Sequence, residues 1–335
     1  MPEPVPPSPR VRRRRALLLA GTAVALIVVA VAVLALTRDS GGVTIHIPGV
    51  VAIDPASGEV VASVAVGSRP VAIAGDDTGV WVGDGRDGTI SRIDPSTHEV
   101  TRTAGIGAPA VDLAFGAGSL WAATGGFGEV LRIDPELVAV TERIPLGPPD
   151  ATEAPTVQAI AANDTTVWAG AQGGLVPIDA ASGEPRPAID LGAASALSIT
   201  VGGDAVWATT LRQRAKRVEA GSDQVTTDFY AGTFILPVAL DGDAVWVGAA
   251  DEGRLWRLDA ATGATQLTTE AGRGSSGIAV GLGAVWVTCW SDGTIVRVDR
   301  ETGRPTTVIP VGGAPEDVAI GAGLVWAAIP ETPAQ

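Results

Sequence analysis

The sequence predicts an all-β fold, a seven-bladed β-propeller closed by its N- and C-terminal strands and preceded by one transmembrane helix. Three observations predict it. Dipeptides ending in Trp recur at Trp81, Trp121, Trp168, Trp207, Trp246, Trp286 and Trp326, with spacings of 40, 47, 39, 39, 40 and 40. An acidic residue follows the first six by 11–13 positions, at Asp94, Asp134, Asp179, Glu219, Asp259 and Asp299. The seventh copy is split, because Trp326 has only nine residues after it. Its missing half stands at 50–55 (VVAIDP), where Asp54 precedes Asp94 by 40 residues, in register with the series. Repeats of this length built from short strands are propeller blades, and one repeat divided between the two ends closes a ring.

The elements before the ring follow from charge and hydropathy. Residues 1–15 are a Pro- and Arg-rich tail ending in RVRRRR. Residues 16–36 (ALLLAGTAVALIVVAVAVLAL) carry no charge, and as a helix they would span roughly 31 Å, the thickness of a bilayer core. The Arg cluster is expected to stay in the cytoplasm, which places residues 37–43 as a linker and 44–330 as an extracytoplasmic domain. Residues 331–335 are a short C-terminal tail. A cleaved secretory signal is the competing reading, with 33–35 (VLA) as its cleavage site, although such apolar regions usually run about 7–15 residues. Either way the domain is exported: to the cell membrane as a single-pass protein, or outright by secretion.

Within one repeat, 70–74 (PVAIA) reads as an inner strand, 76–79 (DDTG) as a tight turn and 80–82 (VWV) as the second strand. Residues 89–94 (TISRID) alternate as a third strand, and 99–104 form the outer one. The turn after the third strand recurs as DPASG (54–58), DAASG (179–183), DAATG (259–263) and DRETG (299–303). Asp accepts a backbone N–H two residues on and Gly takes positive φ, so the motif has turn chemistry. The recurrent Trp is read as one large plate per blade, filling wedges otherwise lined by Val and Ala.

Composition excludes several function classes. From Ser40 onward there are 17 Lys+Arg against 35 Asp+Glu, so this domain lacks the basic face that nucleic acid requires. Cys289 is the only cysteine and His46 and His98 the only histidines, which leaves little material for disulfides, metal ligands or imidazole chemistry. No catalytic residue, metal ligand or cofactor is assigned.

Gly-x-x-Pro at blade junctions, Val-Trp in the second strand and Arg-Ile-Asp-Pro at 92–95 and 132–135 resemble the YncE-like propellers, a group related to the NHL-type and virginiamycin B lyase-like propellers. The resemblance covers 44–330 and implies the propeller fold. The lyase branch implies a histidine base with acidic and histidine partners and a magnesium ion near the channel. No histidine follows His98, so that set is not carried over. Quinone binding of the methanol-dehydrogenase kind would imply adjacent cysteines, which this chain lacks.

Irregularities in the loops around the channel are the best pointers to a site. Residues 83–88 (GDGRDG) offer Asp84, Arg86 and Asp87, loosely like a calcium loop. Residues 147–155 form a long crossing with Asp150 and Glu153, and 211–217 (LRQRAKR) group Arg212, Arg214, Lys216 and Arg217. Residues 289–292 place Trp290 and Asp292 beside the channel loops. Arg69 joins the candidates from a blade junction, and Asp112 and Asp317 from the starts of two inner strands. The expected function is a non-catalytic binding or protein-interaction scaffold for an unknown protein or small molecule. A hydrolase or lyase using channel carboxylates, and a sensor or assembly subunit of a membrane complex, are the alternatives.

Overall fold

Alternating Val, Ala and Ile in short runs between Gly-containing turns form strands that can bury both faces only by stacking sheet on sheet. In the computed structural model these strands make seven four-stranded antiparallel sheets. The structure describes residues 43–147, 154–171, 173–192, 195–232 and 235–330. The tail, the apolar segment at 16–36, the linker up to residue 42, Asp150 and Glu153, and 331–335 lie outside the described residues. Among those described, no helix is long and apolar enough to cross a membrane.

Blades one to six occupy 70–105, 112–145, 159–190, 196–230, 235–270 and 275–310, each in strand order from inner to outer. Blade seven draws on both ends of the chain. Its inner strands are Asp317–Gly321 and Leu324–Ile329, and its outer strands are Gly49–Ile53 and Val60–Val64. The register sets Ala52 opposite Trp326 and Val50 opposite Ala328, the split repeat that the sequence implies.

The core is divided rather than single. Seven clusters of buried apolar side chains fill the seven junctions between neighbouring blades, and each contains one of the seven repeat Trp residues. Trp81, Trp121, Trp207, Trp246, Trp286 and Trp326 are 0% exposed and Trp168 is 1% exposed, so the indole is the plate that fills each wedge.

Two devices fasten these plates. An Arg in the third strand lies over the indole at 5.5 Å for Arg92 on Trp81, 5.3 Å for Arg132 on Trp121 and 5.8 Å for Arg297 on Trp286. In blade three Pro177 pairs with Trp168 where the Arg would be, and Arg186 from beyond the third strand covers the ring at 5.8 Å. The next blade's turn also docks on the ring: Trp81 Nε1 donates to the Pro135 carbonyl at 2.9 Å and Trp207 Nε1 to that of Ala260 at 3.2 Å. His98, in the corresponding turn of blade one, packs on Trp326 with ring centroids 5.7 Å apart.

The turns themselves are capped by Asp. Asp54, Asp179 and Asp259 each accept backbone N–H groups two and three residues on through Oδ1. The Ser96, Thr262 and Thr302 hydroxyls, ahead of the backbone N–H groups, hold the carboxyls of Asp94, Asp259 and Asp299 below their ordinary range, and the backbone N–H groups of Ser57 and Ser182, with their hydroxyls, do the same for Asp54 and Asp179.

Candidate functional site

Antiparallel blades place the loops between second and third strands, and the crossings between blades, on one face around the channel. The inner strands wall a cavity of about 620 Å³ lined by Val71, Ile73, Gln158, Ile160, Ser198, Thr200, Val238, Ile278 and others, with Asp112, Glu316, Asp317 and Trp290 among them. The structure therefore brings three of the sequence candidates together at one cavity.

Asp112 and Asp317 start the inner strands of blades two and seven, nine residues before their blade's Trp. Each is held the same way. Asp112 Oδ1 accepts the Leu113 N–H at 2.8 Å, and its Oδ2 accepts the Ile160 N–H of blade three at 2.8 Å. Asp317 Oδ1 accepts the Val318 N–H at 2.8 Å, and its Oδ2 accepts the Ile73 N–H of blade one at 3.0 Å. Both side chains thus latch one inner strand to the next. The position is shared by Ser198, whose Oγ accepts the Val238 N–H of blade five at 3.3 Å. Burial pushes Asp112 up to about 8, and repulsion from Asp317 adds to it. Burial raises Asp317 to about 6. In both, the backbone N–H donors oppose the rise without cancelling it.

Asp84, Asp87 and Asp292 hold the rim. Asp84 is 3% exposed and accepts N–H groups from Arg69 at 2.6 Å, Arg86 at 2.7 Å and Asp87 at 2.5 Å. Burial alone would raise its pKa, but the backbone N–H groups of Asp87, Arg69, Arg86 and Ser68 together outweigh burial and keep the carboxyl below its ordinary range. Gly67 lies against this carboxylate with φ +41°, where a Cβ would collide with it. Asp87 accepts from Ser68 N–H at 3.0 Å and Ser68 Oγ at 2.6 Å. Asp292, six residues past its Trp as Asp87 is, accepts from Arg273 N–H at 2.7 Å. All three acids, the two of the loosely calcium-like loop at 83–88 included, face backbone donors. Among the described residues no three His, Cys, Asp or Glu side chains gather closely enough to hold a metal ion.

The basic cluster is dispersed. Arg217 is 6% exposed and donates to the Ala260 carbonyl at 3.0 Å and to Glu219 at 2.5 Å. Arg214 pairs with Asp228 at 3.6 Å and lies over Tyr230, and Lys216 meets the same Asp228 at 3.2 Å. Arg212 is exposed in the loop at 211–213, and Arg86 is exposed in the blade-one loop. Arg69 pairs with Glu316 at 3.5 Å beside the cavity. Cys289 is fully buried, and burial lifts its thiol to about 12, so it behaves as a small apolar residue.

Trp290 is the exception among the Trp residues near the blades' loops. It is 42% exposed and borders the cavity, and its backbone N–H donates to the Gly274 carbonyl at 2.9 Å. Phe127 and Leu211, 57% and 60% exposed, stand in the corresponding loops of blades two and four. Sequence reasoning passed over these two, and it missed the shared latch position, which aligning all blades nine residues before each Trp would have exposed.

The fold recurs among solved structures. The chain superposes on BamB from Moraxella catarrhalis at a TM-score of 0.56 and 14% identity, covering 83% of this chain and 91% of that one. The β-propeller domain of Cps50 (Swd1) from Myceliophteria thermophila gives 0.64 at 12% identity, covering 79% and 98%. U3-55K gives 0.67 at 10% identity, covering 79% and 89%. No protein-family model and no curated protein matches the sequence. At these identities the likeness is one of fold alone.

Proposed function

We propose that this chain is a membrane-anchored, extracytoplasmic propeller of the YncE-like kind that binds a protein or small-molecule ligand without transforming it. One observation carries the reading. Asp84, Asp112, Asp292 and Asp317 around the channel are committed to backbone N–H groups that fix the loops and latch the blades, while the cavity they frame stays open, with Trp290 at its edge. A rigid rim around an open cavity, with large apolar side chains exposed in neighbouring loops, is the anatomy of a binding face. The likeness to BamB and other propellers supports the scaffold part of the reading. The apolar segment at 16–36 supports the anchor.

Cross-linking the full chain in intact cells and recovering what it holds tests this. Wild-type chain is expected to retain a defined partner that Trp290→Ala and Phe127→Ser lose with their fold unchanged. Identical recovery by both variants counts against it. A second reading, a hydrolase or lyase, is favoured by the raised pKa values of Asp112 and Asp317, which would let a carboxyl act as an acid near neutral pH. Product formation that Asp317→Asn abolishes without unfolding the chain would replace the first reading with the second.

A further inference from the structure

The channel cavity carries charge of one sign. The ionisable side chains on its described wall are Asp112, Glu316 and Asp317. Glu316 has Arg69 at 3.5 Å. The charges that act on the other two are themselves acidic, Asp317 on Asp112 and Glu316 on Asp317, and both add to the cost of burial.

Latching does not explain that cost. Ser198 occupies the same blade position and makes the same inter-blade bond with a neutral hydroxyl. Four further blades place Ala72, Ala159, Pro237 and Gly277 there, with no polar side chain at all. A carboxylate in two blades therefore exceeds what holding the ring requires. The same cavity is lined by Trp290, an aromatic residue of the kind that attracts cations, and by Val71, Ile160 and Ile278, an apolar wall for a short alkyl stem.

We propose that the channel is a binding site for an organic cation, an alkylammonium or guanidinium group held by Asp112 and Asp317 with its stem against Trp290. The inference rests on the propeller being a binding module and names the chemistry of what it binds. The cation can belong to a free amine or to a Lys or Arg side chain that a protein partner inserts. Its charge replaces the missing counter-charge, draws the pKa values of both acids down, and so expels protons from the site near neutral pH.

Calorimetric titration of the full chain with n-butylammonium, agmatine and N-acetyl-lysine methylamide tests the site, with butan-1-ol and N-acetyl-norleucine methylamide as neutral controls. The cations are expected to bind at least tenfold tighter than the controls. Heats measured at pH 7 in buffers of different ionisation enthalpy should show proton release. Asp112→Asn or Asp317→Asn should weaken binding at least tenfold, and Trp290→Ala several-fold. Because either Asn variant can disturb a latch, Ser198→Asp is the complementary test: it keeps the acceptor, adds an acid and should tighten cation binding. Tighter binding of the lysine amide assigns the cation to a protein partner, and tighter binding of butylammonium assigns it to a free amine. Equal affinity for the neutral controls, absence of proton release, or a Ser198→Asp variant that binds no better overturns the site. Failure of every cation, while the cross-linked partner is still recovered in a Trp290-dependent way, overturns the cation site and leaves the binding module standing. Loss of both overturns both.

Discussion

The two faces of the ring use the same strands differently. On the face of the third-to-fourth-strand turns, six blades repeat one Asp-capped turn, and such turns dock on the neighbouring blade's Trp. On the opposite face the loops share only part of their bonding, as where Asp87 and Asp292 each accept a blade-junction N–H, and they differ in what they present: one holds Asp84 under three N–H donors, one exposes Phe127, one exposes Leu211 and one exposes Trp290 beside the cavity. The difference teaches where the ring spends its repeated chemistry. Repetition marks the joints between blades, where each wedge poses the same packing problem. Divergence marks the face where only one cavity has to be served.

The strongest way to break this comparison is to open a joint. A chain begun at Pro70 loses both outer strands of blade seven and leaves Leu324–Ile329 as an unpaired edge. It is expected not to yield a soluble, cooperatively unfolding monomer, whereas the chain begun at residue 44 is. Equal solubility and melting temperature would disprove closure by the two ends.

Next come single joints. Trp207→Ala and Trp246→Ala each remove a fully buried indole and are expected to cost about 3–5 kcal/mol by denaturant unfolding. Trp246→Ala should be the larger, because the indole N–H donates to the buried Asp241 at 3.1 Å. That carboxylate also receives Arg300 from blade six, so the substitution disturbs a joint held by both packing and charge. Costs below about 1 kcal/mol at both sites would refute the wedge role.

A smaller effect separates the channel acids from the turn acids by pH. Asp112 and Asp317 have folded-state pKa values above the ordinary carboxylate range, at about 8 and about 6. Below the unfolded value both states hold the proton and nothing is lost. As pH rises from there the unfolded chain gives up its protons more readily, so stability falls, through about 6 for Asp317 and on to about 8 for Asp112. The turn acids and Asp84 have lowered values, and their contribution is lost in the other direction, as pH falls below about 4. Melting temperature is therefore expected to be highest between these limits and to decline toward pH 8, with a flatter decline in Asp112→Asn. A melting temperature that rises steadily from pH 5 to pH 8 would contradict the assignment.

The smallest effect belongs to the loop face itself. Trp290→Ala should cost less than about 1.5 kcal/mol, because 42% of the side chain already meets solvent. A loss equal to that at Trp246 would erase the distinction between the faces.

The sequence by itself determined the number of blades, their order and the way the ring closes. Trp–acid spacing and the split seventh copy are periodic, and periodicity survives in one dimension. It also determined that the seven Trp are packing elements, because a plate is needed at every wedge. What only the tertiary structure decided was the use of each acid. Asp84, Asp87 and Asp292 read in sequence as candidate site residues in the loops around the channel, and the structure adds that they accept N–H groups of Arg69, Ser68 and Arg273, 15 to 19 residues away. Asp112 and Asp317 stand 205 positions apart in the chain and meet only because the ring brings blades two and seven to one channel. Arg217 reads as part of a basic patch and is buried instead, since strand pairing turns alternate residues to opposite faces. Local spacing fixes strands and turns through short-range sterics and hydrogen bonds. Which charges share a cavity depends on where a closed ring returns, and no local pattern records that.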